Sequence, residues 1–200
     1  MLEVRGLTFD YHYQPLLDDV CFSLQEGGWL HLRGANGTGK TTLLRLLAGL
    51  LFPLAGEVRF HGRSIHDNLS DYRQSLCYVG HKSGLNPLLT VRENCLFDLC
   101  LNGGEGVVDD LLSRFELQAV AQRLCGQLSA GQKRRVALLR LAMGKTRLWL
   151  LDEPLVALDA AAQSALIVLM TRHVEAGGMI VMTSHQALLE SPVPVKEYWL

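Results

Sequence analysis

The sequence predicts an α/β fold: a mostly parallel central sheet, an N-terminal antiparallel strand region and an inserted helical subdomain. Three observations carry that prediction. Short apolar segments with strand character alternate with helical periods around one glycine-rich stretch, Gly34 to Thr42 (GANGTGKTT). Two segments, 147–153 (RLWLLDE) and 179–184 (MIVMTS), carry the near-continuous apolar runs of strands covered on both faces. From Ser83 to about Gly144 strand signals vanish and helical periodicity takes over.

In chain order, residues 1–12 (MLEVRGLTFDYH) alternate apolar and polar positions, as a half-buried strand does. Residues 15–28 predict a second strand closed by a Gly-Gly turn. Residues 28–33 form the strand that feeds the glycine stretch, and 40–51 its helix, stopped near Pro53. GEVRFHG (56–62) reads as a short hairpin strand and SLCYVGH (75–81) as a buried one. Inside the helical block, 88–101 predicts one helix, with Thr90 as N-cap and Glu93 at capping-box spacing. Residues 109–117 and 131–143 predict two more. A long helix over 159–178 is stopped by Gly177-Gly178. With no internal repeat, low-complexity segment or linker in view, residues 1–200 are expected to form a single domain, its core at 1–82 and 145–200 and its helical subdomain at about 83–144.

Composition excludes several classes. With 19 basic and 20 acidic residues the net charge is −1, which argues against a nucleic-acid or polybasic membrane surface. The longest run without Asp, Glu, Lys or Arg, 176–189, is too short for a spanning helix, and the N-terminus has no apolar signal core. A cytosolic chain is expected. The five cysteines (Cys21, Cys77, Cys95, Cys100, Cys125) are odd in number and form no C-x-x-C, so free thiols are expected.

Within the glycine stretch, Gly34, Gly39, Lys40 and Thr41 fill the fixed positions of G-x-x-x-x-G-K-[ST], between a strand and a helix. Glycines let the backbone curl until successive N–H groups face one phosphate, and the helix dipole adds positive potential. Lys40 would reach the β- and γ-phosphates of a nucleotide and the Thr41 hydroxyl would ligate Mg²⁺. About a hundred residues on, RLWLLDEP (147–154) places Asp152 and Glu153 at the carboxyl end of a buried strand, where ligands of open α/β sheets bind. Asp152 would hold Mg²⁺, and Glu153, pointing the other way, would orient an attacking water as general base. LSAGQKRR (128–135) offers a second anion-facing helix start, with Ser129 as N-cap. It reads either as a site that closes over a phosphate held by another chain, or as a capped helix with a solvated basic face at Lys133, Arg134 and Arg135.

Taken in order, GANGTGKTT, LSAGQ, LLDEP, VALD and the Ser-His pair at 184–185 resemble the nucleotide-binding domain of ATP-binding cassette transporters, over essentially the whole chain. The resemblance implies a homodimeric, ATP- and Mg²⁺-dependent ATPase, a P-loop nucleotidase core, and integral membrane subunits as partners. It implies that Tyr11 stacks on adenine and that Gly34, Ala35, Asn36, Gly37, Thr38, Gly39, Lys40, Thr41 and Thr42 cradle the phosphates. Leu128, Ser129, Ala130, Gly131 and Gln132 match the signature that completes the partner chain's site. Asp152 and Glu153 match the metal-binding and catalytic carboxylates, Asp159 a residue linking the two sites across the dimer, and His185 a γ-phosphate contact. His12, His31, His61, His66 and His173 match no motif and are assigned to surface or core.

Two positions depart from the family pattern. Ala130 replaces a glycine, tolerable where φ is negative. His81 stands where a glutamine that senses Mg²⁺ and water is usual, so metal contact there would pass through an imidazole and titrate near neutral pH. The GH at 80–81 with LLTVREN further resembles the ATP-binding subunit of bacterial cytochrome c maturation, the haem exporter type. That resemblance implies a peripheral place on the cytoplasmic face of the inner membrane, with membrane association only through partners. The segment around Leu85, Pro87 and Leu88 is the expected dock for a partner's cytoplasmic loop. The alternatives are the ATPase of another small-substrate exporter, a nucleic-acid-linked relative, or a small-molecule P-loop kinase. A nucleic-acid relative would need a coiled-coil insertion, a second cassette or a basic surface, and a kinase leaves LSAGQ unexplained.

Overall fold

The computed structural model describes residues 1–11, 14–102, 108–184 and 192–200. In chain order its strands and helices are β1 (Leu2–Tyr11), β2 (Gln14–Leu24), β3 (Trp29–Arg33), α1 (Lys40–Leu47), β4 (Ala55–Phe60), β5 (Arg63–Ser64), α2 (Leu69–Gln74), β6 (Leu76–Val79), α3 (Val91–Asn102), α4 (Val108–Arg114), α5 (Ala130–Leu138), α6 (Arg140–Met143), β7 (Leu148–Asp152), α7 (Ala160–Glu175), β8 (Met179–Thr183) and β9 (Val195–Trp199). Two sheets result. The antiparallel one runs β2-β1-β4-β5, and the other runs β6-β7-β8-β3-β9 with every pairing parallel.

Strands β7 and β8 are buried at every position, as the apolar runs predict. Alternation then sorts their side chains. Leu148 and Leu150 enter the core shared with α1 and the antiparallel sheet, while Trp149 and Leu151 enter the core under α5 and α7. Between β6 and β7 the described residues contain no strand, only an isolated bridge at Thr90 and Leu124. They pack around their own apolar cluster of Val91, Cys95, Leu112, Leu117, Val136 and Leu139. The Thr90 cap forms as its spacing predicts: Glu93 N–H donates to Thr90 Oγ1 at 3.2 Å, and Thr90 N–H to Glu93 Oε2 at 2.8 Å. All five cysteines are free, with Cys95 and Cys125 buried.

The sequence reading omits α2, the two-residue β5 and β9, runs one helix past its end and misses a break in another. Helix α2 is too short to show a period; its signal is the cap, where the Asn68 side chain accepts the Asp71 N–H at 3.3 Å. Strand β9 is mixed in polarity because it forms the sheet edge, with its side chains only partly covered. The helix expected over 40–51 ends at Leu47, with Ala48 as its C-cap and Gly49 following at φ 64°. The helix expected over 131–143 divides at Leu139, whose N–H is shared between the carbonyls of Arg135 and Val136, both at 3.2 Å.

Candidate active site

The loop between β3 and α1 is built as the glycine spacing requires. Gly34 has φ 143°, and a side chain there would meet Thr38 Oγ1 at 2.8 Å and the Leu200 carbonyl at 2.9 Å. Gly39, the residue before α1, has φ 98°. Lys40 is only 8% exposed, and its ammonium donates to the carbonyls of Gly34 (2.8 Å) and Ala35 (2.7 Å), so the lysine lies folded over its own loop. The first N–H groups of α1 have no acceptor within the helix and face the same concavity.

Alternation on β7 brings Asp152 to the α1 side. Its carboxylate is buried and doubly hydrogen-bonded: Thr41 Oγ1 donates to Oδ2 and Thr183 Oγ1 to Oδ1, both at 2.8 Å. Glu153 follows in a left-handed conformation, φ 50°, with its N–H donating to Thr183 Oγ1 at 2.9 Å. A cleft of about 210 Å³ is lined by Leu16, Asn36, Gly37, Gly39, Lys40, Thr41, Thr42, Asp152 and Glu153. Lys40 and the two carboxylates, predicted from motifs far apart in sequence, therefore share one cavity.

The LSAGQ segment is not part of that cavity. Leu128 is buried, and Ser129 caps α5 in a complete capping box: its Oγ accepts the Gln132 N–H at 3.2 Å, and Gln132 Oε1 accepts the Ser129 N–H at 3.0 Å. Ala130 opens the helix, exposed and outside the positive-φ set, so its methyl is tolerated as expected. Gly131 is required for a different reason: a Cβ there would stand 2.7 Å from the Ala157 carbonyl. None of residues 128–132 lines the cleft around Lys40.

The basic residues that follow are not one solvated face. Arg134 is 7% exposed, and its guanidinium donates to four main-chain carbonyls at the ends of β6 and β7. Arg135 pairs with Glu116 at 2.8 Å and with Asp159. Asp159 also caps α7, accepting the Ala162 N–H at 2.9 Å. The sequence carried no signal for Arg134, because a buried arginine in a basic run looks like its exposed neighbours.

Other predicted residues lie away from the cavity or outside the described residues. Tyr11 ends β1, is 43% exposed and meets Phe9 edge-on. His81 is exposed just beyond β6 and does not line the cleft. His185 lies outside the described residues. The residue before it, Ser184, is buried, and its carbonyl hydrogen-bonds His31 Nε2 at 3.1 Å. A carbonyl only accepts, so Nε2 carries the proton in that bond; burial lowers the His31 pKa.

Residues 17–156 match the family model described as ABC transporter. The chain belongs to that family. This ABC cassette is 52% identical over 200 residues to the cytochrome c biogenesis ATP-binding export protein CcmA of Legionella pneumophila, covering all of both chains. It is 40% identical over 188 residues to the protein of that name from Escherichia coli K12, covering 94% of this chain and 90% of the relative. Its fold matches an ATP-binding subunit of an ABC transporter with TM-score 0.83 at 28% identity, covering 92% of this chain and 79% of that one. It also matches a dimeric ATP-binding cassette solved after hydrolysis with ADP and Pi, TM-score 0.82 at 26% identity, covering 93% and 88%. The cassette is thus an ABC-type ATPase, the activity that its phosphate loop implies.

Proposed function

We propose that this cassette is the ATP-hydrolysing subunit of a cytochrome c biogenesis export complex, dimerising head to tail and driving separate membrane subunits that move haem or release a haem chaperone. One observation carries the dimer. Ser129, Ala130 and Gly131 form an anion-facing helix start that is separate from the cleft their own chain builds around Lys40. A second copy is what would bring the two together, and similar cassettes are dimeric. The biogenesis role is supported by relatives of that name that align over the chain's full length.

In this reading the phosphates lie in the 34–42 loop, where Lys40 exchanges its two carbonyl acceptors for phosphate oxygens. Thr41 and Asp152, a hydroxyl and a carboxylate already in contact, form the hard-oxygen donor set that suits Mg²⁺. When bound, that ion neutralises charge on the phosphates. Glu153 takes the proton of the attacking water. Ser129 Oγ–H and the N–H groups of Ala130 and Gly131 close over the γ-phosphate of the partner copy. Asp159 and Arg135 link the two sites, Tyr11 stacks on adenine, and His185 contacts the γ-phosphate. His81, exposed just beyond β6, puts an imidazole in the glutamine's place. Residues 1–82 and 145–200 act as the ATP-binding core, and 83–144 as the subdomain that docks membrane subunits through the surface exposing Leu88 (78%) and Phe97 (59%). No described helix is long and apolar enough to cross a membrane, in keeping with peripheral attachment to the cytoplasmic face of the inner membrane through those subunits.

Glu153→Gln tests the base. Positioned proton transfer contributes about 10²- to 10⁴-fold, so steady-state hydrolysis should slow on that scale and an ATP-bound dimer should accumulate on size exclusion. Full-rate hydrolysis by this variant would remove Glu153 from its role. Co-purification with membrane proteins, set against ATPase activity stimulated by nucleic acid, separates the export reading from a nucleic-acid-linked one.

A further inference from the structure

We propose that Arg134 is a positioning residue for hydrolysis, holding the main chain around Glu153 in its productive conformation from the signature helix α5. Its guanidinium donates through Nη1 to the Gly80 carbonyl (2.9 Å) and through Nη2 to those of Asp152 (2.7 Å) and Glu153 (2.8 Å), with Nε at 3.4 Å from that of Pro154. Three of these acceptors are consecutive. Together with the Glu153 N–H, held by Thr183 Oγ1, they fix the peptide units on both sides of Glu153.

Glu153 needs that restraint. Its φ of 50° lies in the left-handed region that a residue with a Cβ seldom adopts without tertiary support. The fourth acceptor, Gly80, immediately precedes His81, so the same side chain ties α5 to the ends of both β6 and β7. Burial lowers the Arg134 pKa, while the nearby charges of Asp152 and Glu153 raise it; an arginine stays protonated under such opposition. Only a planar fork serves carbonyls on several sides at once. A lysine keeps the charge but donates from a single point.

The inference rests on the reading of Glu153 as the base, so the test pairs the two residues. Hydrolysis by the full chain is measured at saturating and limiting ATP for Arg134→Met, Arg134→Gln and Arg134→Lys, each alone and with Glu153→Gln, alongside thermal unfolding of the same samples. Misplacing a reacting group by an ångström costs on the order of 10²-fold, so Arg134→Met should lower kcat by about 10- to 100-fold with KM for ATP within about 3-fold. Arg134→Gln and Arg134→Lys should recover part of the loss. In the Glu153→Gln background, Arg134→Met should cost no more than about 2-fold further, because residues acting as a unit are non-additive.

Losses that multiply in the double variant, full rescue by lysine, or a raised KM with kcat intact would each overturn the proposal. If Arg134→Met does not fold, Arg134→Gln, which keeps two donors, carries the same comparison. Full-rate hydrolysis by Glu153→Gln alone would fail the base assignment and this inference with it. A slow Glu153→Gln with multiplying losses would fail only the inference.

Discussion

The methyl group at residue 130 and its absence at residue 131 give the sharpest stability test. Ala130 and Gly131 are adjacent and both helical, yet the structure assigns a methyl opposite consequences at the two places. In Gly131→Ala the new Cβ would stand 2.7 Å from the Ala157 carbonyl oxygen, about 0.7 Å short of the 3.4 Å at which ordinary contact begins. That carbonyl cannot retreat cheaply. Ala157 is itself left-handed at φ 62°, inside a turn closed by Val156 N–H on Glu153 O (3.2 Å) and Leu158 N–H on Leu155 O (3.4 Å). Overpacking of this kind costs about 1–3 kcal/mol. Replacing a helical glycine returns at most about 1 kcal/mol, and less this close to the helix start. The net loss is about 1–2 kcal/mol, or a fall in Tm of about 2–8 °C at the 2–4 °C per kcal/mol typical of this size. Ala130→Gly opens no cavity, because residue 130 is exposed, and should stay within about 0.5 kcal/mol of the parent. Thermal unfolding of the two variants beside the parent decides it. A Gly131→Ala chain melting at or above the parent would refute the close-approach argument, and an Ala130→Gly chain falling as far would show that the effect is not specific to residue 131.

Three further outcomes follow from the site. Thr183→Val removes the acceptor of the Glu153 N–H and one donor to Asp152 at a fully buried position; it should cost about 1–3 kcal/mol in urea unfolding, and hydrolysis should fall by on the order of 10²-fold. Ser129→Ala deletes the α5 cap and should cost about 1 kcal/mol by the same unfolding assay, while hydrolysis should fall through loss of the hydroxyl proposed to meet the partner's γ-phosphate. His173, stacked on Trp149 with ring centroids 3.8 Å apart, has its pKa lowered by burial from 6.5 to about 4. Between those pH values the unfolded chain binds the proton and the folded chain does not, so stability falls as pH drops from 6.5 to 4, by about 3 kcal/mol for this group at 1.36 kcal/mol per pKa unit. His173→Phe should flatten that part of the stability–pH curve, and an unchanged slope would place the titration elsewhere.

The legible parts of the sequence were those in which local spacing and tertiary role coincide. The phosphate loop, the Thr90 and Ser129 caps and the apolar strand before Asp152 each place their chemistry within a few residues, and each forms as its pattern predicts. Strand β9 was illegible because an edge strand has no continuous apolar run, and its partner β3 lies more than 160 residues upstream. Arg134 was hidden for a related reason. Its function depends on carbonyls supplied by Gly80 and by residues 152–154, and no spacing along the chain reveals which carbonyls a folded sheet will leave without donors. The Thr183 hydroxyl, which joins Asp152 to Glu153, escaped notice inside an apolar strand whose threonine reads as an ordinary β-branched residue.

In the proposed dimer, helix α5 would set what each site can sense. At its start, Ser129 Oγ accepts the Gln132 N–H, which leaves the hydroxyl proton available to an outside acceptor. The N–H groups of Ala130 and Gly131 precede the first residue that an α-helix can pair internally. None of residues 128–132 lines the cleft of its own chain. One turn further on, Arg134 grips the main chain on either side of that chain's own Glu153, and Arg135 grips Asp159. In the proposed dimer, a short rigid element that meets the neighbour's phosphate with one end and the main chain around its own Glu153 with its flank would transmit any tilt of the helical block to both. The two sites would then be coupled through a side chain whose donors reach only backbone, a route that the family departures at Ala130 and His81 do not touch.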